Sequence, residues 1–197
     1  MANTERRNEI VAAALELLDE KGADAVSLRA VADRLDVRLN TVSWHVKTKA
    51  RLLELMADAI VAAVTLEKLP RRWDARLREL SRRYRAALLG HRDGARIVAG
   101  TYAAEEHTLR MSEAFVATLL DGGLSEKDAA WTTWTISYFV LGITQEEQNA
   151  PTTEFPATLS PATHPALSRV FGHLVGGTFD ERFDYGLSLI VNSLRPE

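Results

Sequence analysis

Residues 27–56 read SLRAVADRLDVRLNTVSWHVKTKARLLELM, and the spacing of their apolar residues decides the fold. Leu28, Val31 and Leu35 share one face of a short segment from Ser27 to Leu35. A second short segment runs from about Leu39 to His45. A longer one, from about Thr48 to Leu66, places Leu52, Met56, Ile60 and Val64 at four-residue intervals. Upstream, Ile10, Ala13, Ala14, Leu17 and Leu18 line one face of a helix that Gly22 is expected to stop. Three short helices and a long one form a unit from which a helix-turn-helix can be built. Val31, Leu35, Val37 and Val42 are placed to hold the two short helices against Ile10, Leu17 and Leu18. Trp44 is expected to be a further core anchor, packing its helix on the first and fourth.

In a helix-turn-helix the second helix lies in the DNA major groove, and phosphate contacts fix its position. The segment after the turn has the chemistry for that. Arg38, Leu39, Asn40, Thr41 and Ser43 make a short, mostly polar face. Arginine can read guanine, asparagine can read adenine, and apolar groups can meet thymine methyls.

Composition sets the outer limits. The chain has 197 residues, 46% hydrophobic and 26% charged, as an ordinary globular protein does. It contains no cysteine, which excludes disulfides, thiolate metal sites and cysteine nucleophiles. MANTERRNEI carries no apolar run, so no signal peptide is expected there, and no stretch approaches the ~20 apolar residues of a membrane span. The expected compartment is the cytoplasm.

The net charge of -3 conceals a division along the chain. Residues 29–51 hold Arg29, Arg34, Arg38, Lys47, Lys49 and Arg51 against Asp33 and Asp36. Residues 71–96 hold nine arginines against Asp74, Glu79 and Asp93. Residues 97–197 hold five basic and thirteen acidic side chains. Such asymmetry suggests separate jobs for the two parts, although solvated helix faces would account for much of 71–96.

The remaining chain also reads as helices, with no convincing strand pattern. Trp73 to Leu89 is ended by Gly90, a short helix follows from Gly94 to about Ala99, and another spans about Ala103 to Leu120. Ser125 can cap a helix from Glu126 to about Asn149. Residues 150–165, with four prolines, form a loop. A short helix lies near Ala166–Val175, and Thr178 with Glu181 has capping-box spacing for a last helix to about Leu194. The expected fold is all-α, with about ten helices in two parts. Residues 1–50 form a helix-turn-helix domain and residues 51–197 a larger helical domain for ligand binding and dimerisation, with the 48–66 helix connecting them.

The helix-turn-helix spacing, the aromatic-His pair ending the second helix and the K-x-K-x-x-L-L run at the start of the fourth resemble the DNA-binding domain of TetR-family repressors. ALLGHRDGARIVAGT and the helical half after it resemble the regulatory domain of tetracycline repressors. The resemblance implies that Arg29, Arg38, Leu39, Asn40, Thr41 and Ser43 contact bases or the groove, and that Ser27, Thr41, His45, Lys47 and Lys49 hold phosphates. There are departures: Ser43 stands where the family commonly has Tyr, and Asp36 where the turn commonly has a small residue or Gly. A ligand-responsive repressor is implied, binding a palindromic double-stranded operator as a homodimer. The long 126–149 helix and the last helix are implied to form the dimer bundle. Phe179, Phe183, Leu187, Ile190 and Leu194 make an apolar stripe on the last helix, and Gly186 and Gly142 could allow close helix approach.

The sensing site departs further. Val98 stands where tetracycline repressors have the His that ligates drug-bound magnesium, and Tyr102 stands where they have Arg. Leu80 and Ala114 replace their amides, while Thr101 and Glu146 survive. Binding of magnesium–tetracycline is therefore not expected, and neither a metal site nor another cofactor is assigned. Tyr84, Tyr102, Trp131, Trp134 and Tyr138 are read as an aromatic lining around Val98, with Thr101, His107 and Glu146 as polar anchors for a small organic effector. The alternative is a helical small-molecule carrier without DNA binding. No catalytic residues are assigned. HRDG at 91–94 echoes a kinase loop, but the other kinase elements are absent, and the remaining histidines lack metal-ligand spacing.

Overall fold

The computed structural model describes residues 2–101, 104–150 and 159–194. All regular structure among them is helical. In chain order the helices are α1 Ala2–Lys21, α2 Leu28–Arg34, α3 Leu39–Val46, α4 Lys49–Val61, α5 Trp73–Leu89, α6 Gly94–Val98, α7 Glu106–Asp121, α8 Glu126–Gln148, α9 Pro165–Val175 and α10 Phe179–Ser193. A single 3-10 turn, Ala23–Ala25, separates α1 from α2. The all-α fold of about ten helices is the one the apolar spacing predicts.

Side-chain caps set several of the boundaries. Ser27 Oγ accepts from the Ala30 N–H at 3.1 Å, Thr48 Oγ1 from Arg51 at 3.1 Å and Ser125 Oγ from Asp128 at 3.2 Å. At α10 both halves of the Thr178–Glu181 capping box are made. Each satisfies an amide that a helix N-terminus otherwise leaves without a partner. Between α2 and α3, Asp36 takes a left-handed φ of 51°. A short polar side chain tolerates that conformation, and Gly adopts it more readily, which accounts for the family's preference at this position.

Helices α1 to α4 close over Ile10, Leu18, Val31, Val42, Val46 and Leu52, all fully buried. Helix α4 also packs on α5, α6 and α7, so it belongs to both halves of the molecule. It ends at Val61 rather than near Leu66. The Arg83 guanidinium donates to the carbonyls of Thr65 at 2.8 Å and Glu67 at 2.7 Å, giving acceptors just past the helix an alternative to helical bonding. Val64 stays buried outside the helix, so apolar spacing alone overran the boundary. Helix α7 starts at Glu106, after the expected Ala103, which lies outside the described residues.

The apolar stripe of α10 faces its own chain. Phe183, Leu187 and Val191 are buried, and Phe183 stacks on Phe139 of α8 with ring centroids 5.7 Å apart. Gly186 permits this approach, since a Cβ there would lie 2.5 Å from the Phe139 ring. Gly142 does not serve a helix contact within the chain: a Cβ there would meet nothing within 4 Å. The outward faces carry different residues. Trp131 of α8 and Tyr185 and Leu189 of α10 are exposed, as are Leu167, Val170, Leu174 and Val175 of α9, a helix with no buried residue.

Candidate DNA-reading face and ligand cavity

Helix α3 turns Val42 and Val46 into the core, and this fixes where its other side chains go. Successive residues rotate by ~100°, so positions 40 and 44 fall nearly opposite 42 and 46. Asn40 is exposed, and Trp44 is 80% exposed. The expectation of Trp44 as a core anchor is therefore wrong: the valines occupy the buried face, and the indole stands one turn beyond Asn40 on the outer one. Arg38 and Leu39, at the helix start, are exposed, while Thr41, Ser43 and His45 flank the outer face half-buried. Arg29 lies exposed on α2, and Lys47 and Lys49 are exposed where α3 passes into α4. Ser27 is half-buried and caps α2.

Two of the six basic residues between 29 and 51 are held by the protein itself. Arg34 pairs with Glu16 and Glu20 of α1, and Arg51 pairs with Glu54 at 2.9 Å and with Glu105, the residue preceding α7, at 2.5 Å. These contacts raise both guanidiniums above their ordinary pKa, chiefly through the hydrogen bonds that Arg34 donates to Glu20 and Arg51 donates to Glu105. Arg29, Arg38, Lys47 and Lys49 make no ion pair among the described residues.

The second basic segment is used differently. On α5, Arg78 donates to Ser188 and Asn192 of α10, both at 2.9 Å. Arg82 pairs with Asp184 at 2.9 Å, and Arg76 with Asp121 at 2.6 Å. The buried Arg85 pairs with Glu147 of α8 and Asp180 of α10 and lies 5.0 Å over the Phe183 ring. The α5 arginines thus tie the acidic C-terminal helices to the body.

A cavity of about 570 Å³ lies between α4, α5, α7, α8 and the end of α6. Among the predicted residues, Tyr84, Val98, Thr101, Trp134 and Tyr138 line it. Burial pushes the Tyr84 phenol well above its ordinary pKa, so it stays protonated. Trp134 and Tyr138 stack with centroids 5.5 Å apart. Three predicted residues are not brought there. His107 faces a separate cleft of about 430 Å³ between α1, α4 and α7, and Trp131 and Glu146 are exposed outside the lining. The α8 residues that reach the cavity are Trp134, Ser137, Tyr138, Leu141, Gly142 and Gln145, a single helical face that excludes 131 and 146. Tyr102 lies outside the described residues. Ser112, Ser137 and Gln145 supply polar groups that the sequence reading did not assign.

The α5–α6 turn bridges the cavity side and the α1–α2 turn. Gln148, one turn past the cavity residue Gln145, donates to the carbonyls of Leu88 at 3.1 Å and His91 at 2.8 Å and accepts from the Ala95 N–H at 3.1 Å. From the other side of the same turn, Asp93 accepts from the Ala23 N–H at 2.7 Å. His91 Nδ1 meets Asp19 at 3.0 Å, the Arg92 N–H donates to Asp19 at 3.0 Å, and Arg96 pairs with Asp24 at 2.6 Å. Gly22, at φ 81°, leaves room for this clasp, because a Cβ there would lie 3.0 Å from the Asp93 carboxylate.

Residues 10–56 match the family model for bacterial regulatory proteins of the tetR family, and residues 67–196 match that of the tetracyclin repressor-like C-terminal domain. The chain belongs to the TetR family. This TetR-family transcriptional regulator is 34% identical to the class C tetracycline repressor protein of Escherichia coli, over 98% of this chain and 91% of that one. Its fold is similar to that of the Streptomyces coelicolor TetR family protein ActR in complex with actinorhodin, with a TM-score of 0.85, 28% identity and 94% of each chain covered. It is also similar to BioQ with its double-stranded DNA operator, with a TM-score of 0.72 and 27% identity over 94% of this chain and 95% of that one. Among the described residues, no helix is long and apolar enough to cross a membrane.

Proposed function

We propose that this TetR-family regulator is a repressor that binds a palindromic operator as a homodimer and is released by a small organic effector. Residues 1–50 read the DNA, and residues 51–197 bind the effector and dimerise. The observation that carries the DNA reading is the outer face of α3, where exposed Arg38, Asn40 and Trp44 stand among basic side chains with no internal ion pair. Arg38, Leu39, Asn40, Thr41 and Ser43 address the groove, with Arg29 beside them. Ser27, Thr41, His45, Lys47 and Lys49 hold phosphates. Of these, Ser27, Thr41 and Lys49 lie at the N-terminal ends of α2, α3 and α4, where backbone N–H groups and the helix dipole also favour anions. Trp44 joins them as an outer-face contact. A dimer of this kind presents its two α3 helices about 34–36 Å apart, one turn of DNA. The exposed Trp131, Tyr185 and Leu189 of α8 and α10 are the surface offered to the second copy.

The effector occupies the 570 Å³ cavity, within the size range of small-molecule sites. Release requires that it bind the non-operator arrangement more tightly, because equal affinity for both shifts nothing. Two connections lead from the cavity to the headpiece: α4 itself, and the clasp running from Gln148 through the 88–96 turn to Asp19, Ala23 and Asp24. A mobility shift on the DNA flanking the protein's own gene tests the reading. A shifted band that unrelated competitor DNA does not abolish is expected, and no shift would favour a helical ligand carrier instead. Operator affinity at saturating effector then tests the coupling. An unchanged value would leave no linkage between the sites.

A further inference from the structure

The magnesium–drug complex implied by the tetracycline-repressor resemblance can be tested against the donors around the cavity. No described lining residue carries a carboxylate, imidazole, ammonium or guanidinium group. Val98, at the family's imidazole position, offers hydrocarbon, and the nearby Glu146 lies outside the lining, exposed. Among the described residues, no group of three His, Asp or Glu side chains converges anywhere. Magnesium needs several oxygen ligands, usually including carboxylate. The residues present do not fit the group.

The same lining says what does fit. Its polar side-chain groups are the hydroxyls of Tyr84, Thr101, Thr108, Ser112, Ser137 and Tyr138, the Gln145 amide and the Trp134 indole N–H. The Thr101, Ser112 and Ser137 hydroxyls already donate to backbone carbonyls and that of Thr108 to Asp58, so they offer a ligand acceptor lone pairs. The Tyr84 phenol and the Gln145 amide can donate, and together these groups suit neutral carbonyl and hydroxyl groups. The walls between them are apolar, and the stacked Trp134–Tyr138 pair gives one side a flat aromatic surface. Trp134 and Tyr138 are exposed at the mouth, so a ligand keeps part of its hydration there. A charge carried inward toward the buried Tyr84 leaves its hydration behind and meets no counter-charge on the described lining residues, a cost that hydrogen bonds to neutral groups repay only in part.

We propose that the effector binds this cavity as an uncharged, metal-free, flat aromatic compound, held by stacking on Trp134 and Tyr138, by hydrogen bonds that Tyr84 and Gln145 donate to its carbonyl or hydroxyl oxygens, and by one that its hydroxyl donates to the Gln145 side-chain carbonyl. This inference rests on the reading of the cavity as the effector site. It selects by charge state: an ionisable aromatic binds through its neutral form, and its apparent affinity falls tenfold for each pH unit beyond its own pKa. Tyr84, kept protonated by burial, remains a donor across that range.

Calorimetry on the full-length protein tests this with two probes of one skeleton, neutral 1,4-dihydroxyanthraquinone and the permanent anion anthraquinone-2-sulfonate. The neutral probe is expected to bind at least about 30-fold more tightly, with no change on adding magnesium or EDTA. Tyr84→Phe and Gln145→Leu should each weaken it by about tenfold, and Gln145→Lys should shift preference toward the sulfonate. Equal or tighter sulfonate binding, a requirement for magnesium, or no binding of either probe overturns the proposal. Circular dichroism of each variant separates loss of a contact from loss of fold. Operator affinity is measured beside it. A neutral probe that binds yet leaves operator affinity unchanged refutes the effector reading while the charge selectivity stands.

Discussion

Residues 29–51 and 71–96 are both rich in cations, and they differ in where the opposite charges lie in the fold. Around α5, acidic and polar groups of α7, α8 and α10 come within hydrogen-bond distance: Asp121 for Arg76, Ser188 and Asn192 for Arg78, Asp184 for Arg82, Asp180 and Glu147 for Arg85. Around α3, among the described residues, only Arg34 and Arg51 find such partners, on α1, α4 and just ahead of α7. Arg29, Arg38, Lys47 and Lys49 are exposed on α2 and at the two ends of α3 and the start of α4. Charge counted along a chain therefore says little about binding. What distinguishes the helix-turn-helix segment is that four of its six cations are exposed and outside any close ion pair among the described residues.

The contrast can be broken at its strongest point first. Arg85 is buried with two carboxylates, so Arg85→Met should lower unfolding stability by about 2–3 kcal/mol in urea denaturation, the worth of lost hydrogen bonds between charged groups. Operator affinity of the folded protein should hardly change. Next come the reading residues. Asn40→Ala should cost about 1–3 kcal/mol of discrimination at one base position and leave stability within about 0.5 kcal/mol. Binding to an operator library, read by sequencing, shows whether preference changes at that position alone. Trp44→Ala should likewise weaken operator binding without destabilising the fold, because its indole is outside the core. A large drop in melting temperature would restore it as an anchor. Arg82→Ala removes an exposed pair and should cost no more than about 0.5 kcal/mol.

The smallest effect concerns acid. The hydrogen bond from Arg51 holds the Glu105 carboxyl below its ordinary pKa. A carboxylate depressed in this way contributes stability that is present above its unfolded value and lost as pH falls through the folded one. Glu105→Gln should therefore slightly flatten the acid side of the stability profile and leave its neutral and alkaline side unchanged in shape.

Much of the fold was legible because its boundaries are written in local chemistry. Ser125, Thr178 with Glu181, and Gly90 marked helix ends within a residue or two. The α4 end is not legible in the apolar spacing, because Val64 stays buried beyond Val61 and keeps the pattern running past the last helical residue. Trp44 was misread although the signal was present: with Val42 and Val46 inward, helical geometry puts position 44 outward. Residue type points an aromatic side chain to the core, and here helical angle overrides it. The cavity was half legible. Trp134 and Tyr138 are legible as part of an aromatic set, but aromatic character does not say which face of α8 meets the cavity, and so Trp131 and Glu146 fall in the expected lining and Gln145 does not. His107 depended on the path between α6 and α7, which has no periodicity to read.

The account turns on which cations folding leaves available to DNA, and the salt dependence of operator binding measures that directly. Two variants are compared with the parent, Lys47→Ala/Lys49→Ala and Arg78→Ala/Arg82→Ala, each by titration over a range of potassium chloride concentrations. The lysine pair should lower the slope of log affinity against log salt by about 2 for each bound copy, while the arginine pair leaves it unchanged. An unchanged slope in the lysine variant, or an equal fall in the arginine variant, would contradict the account.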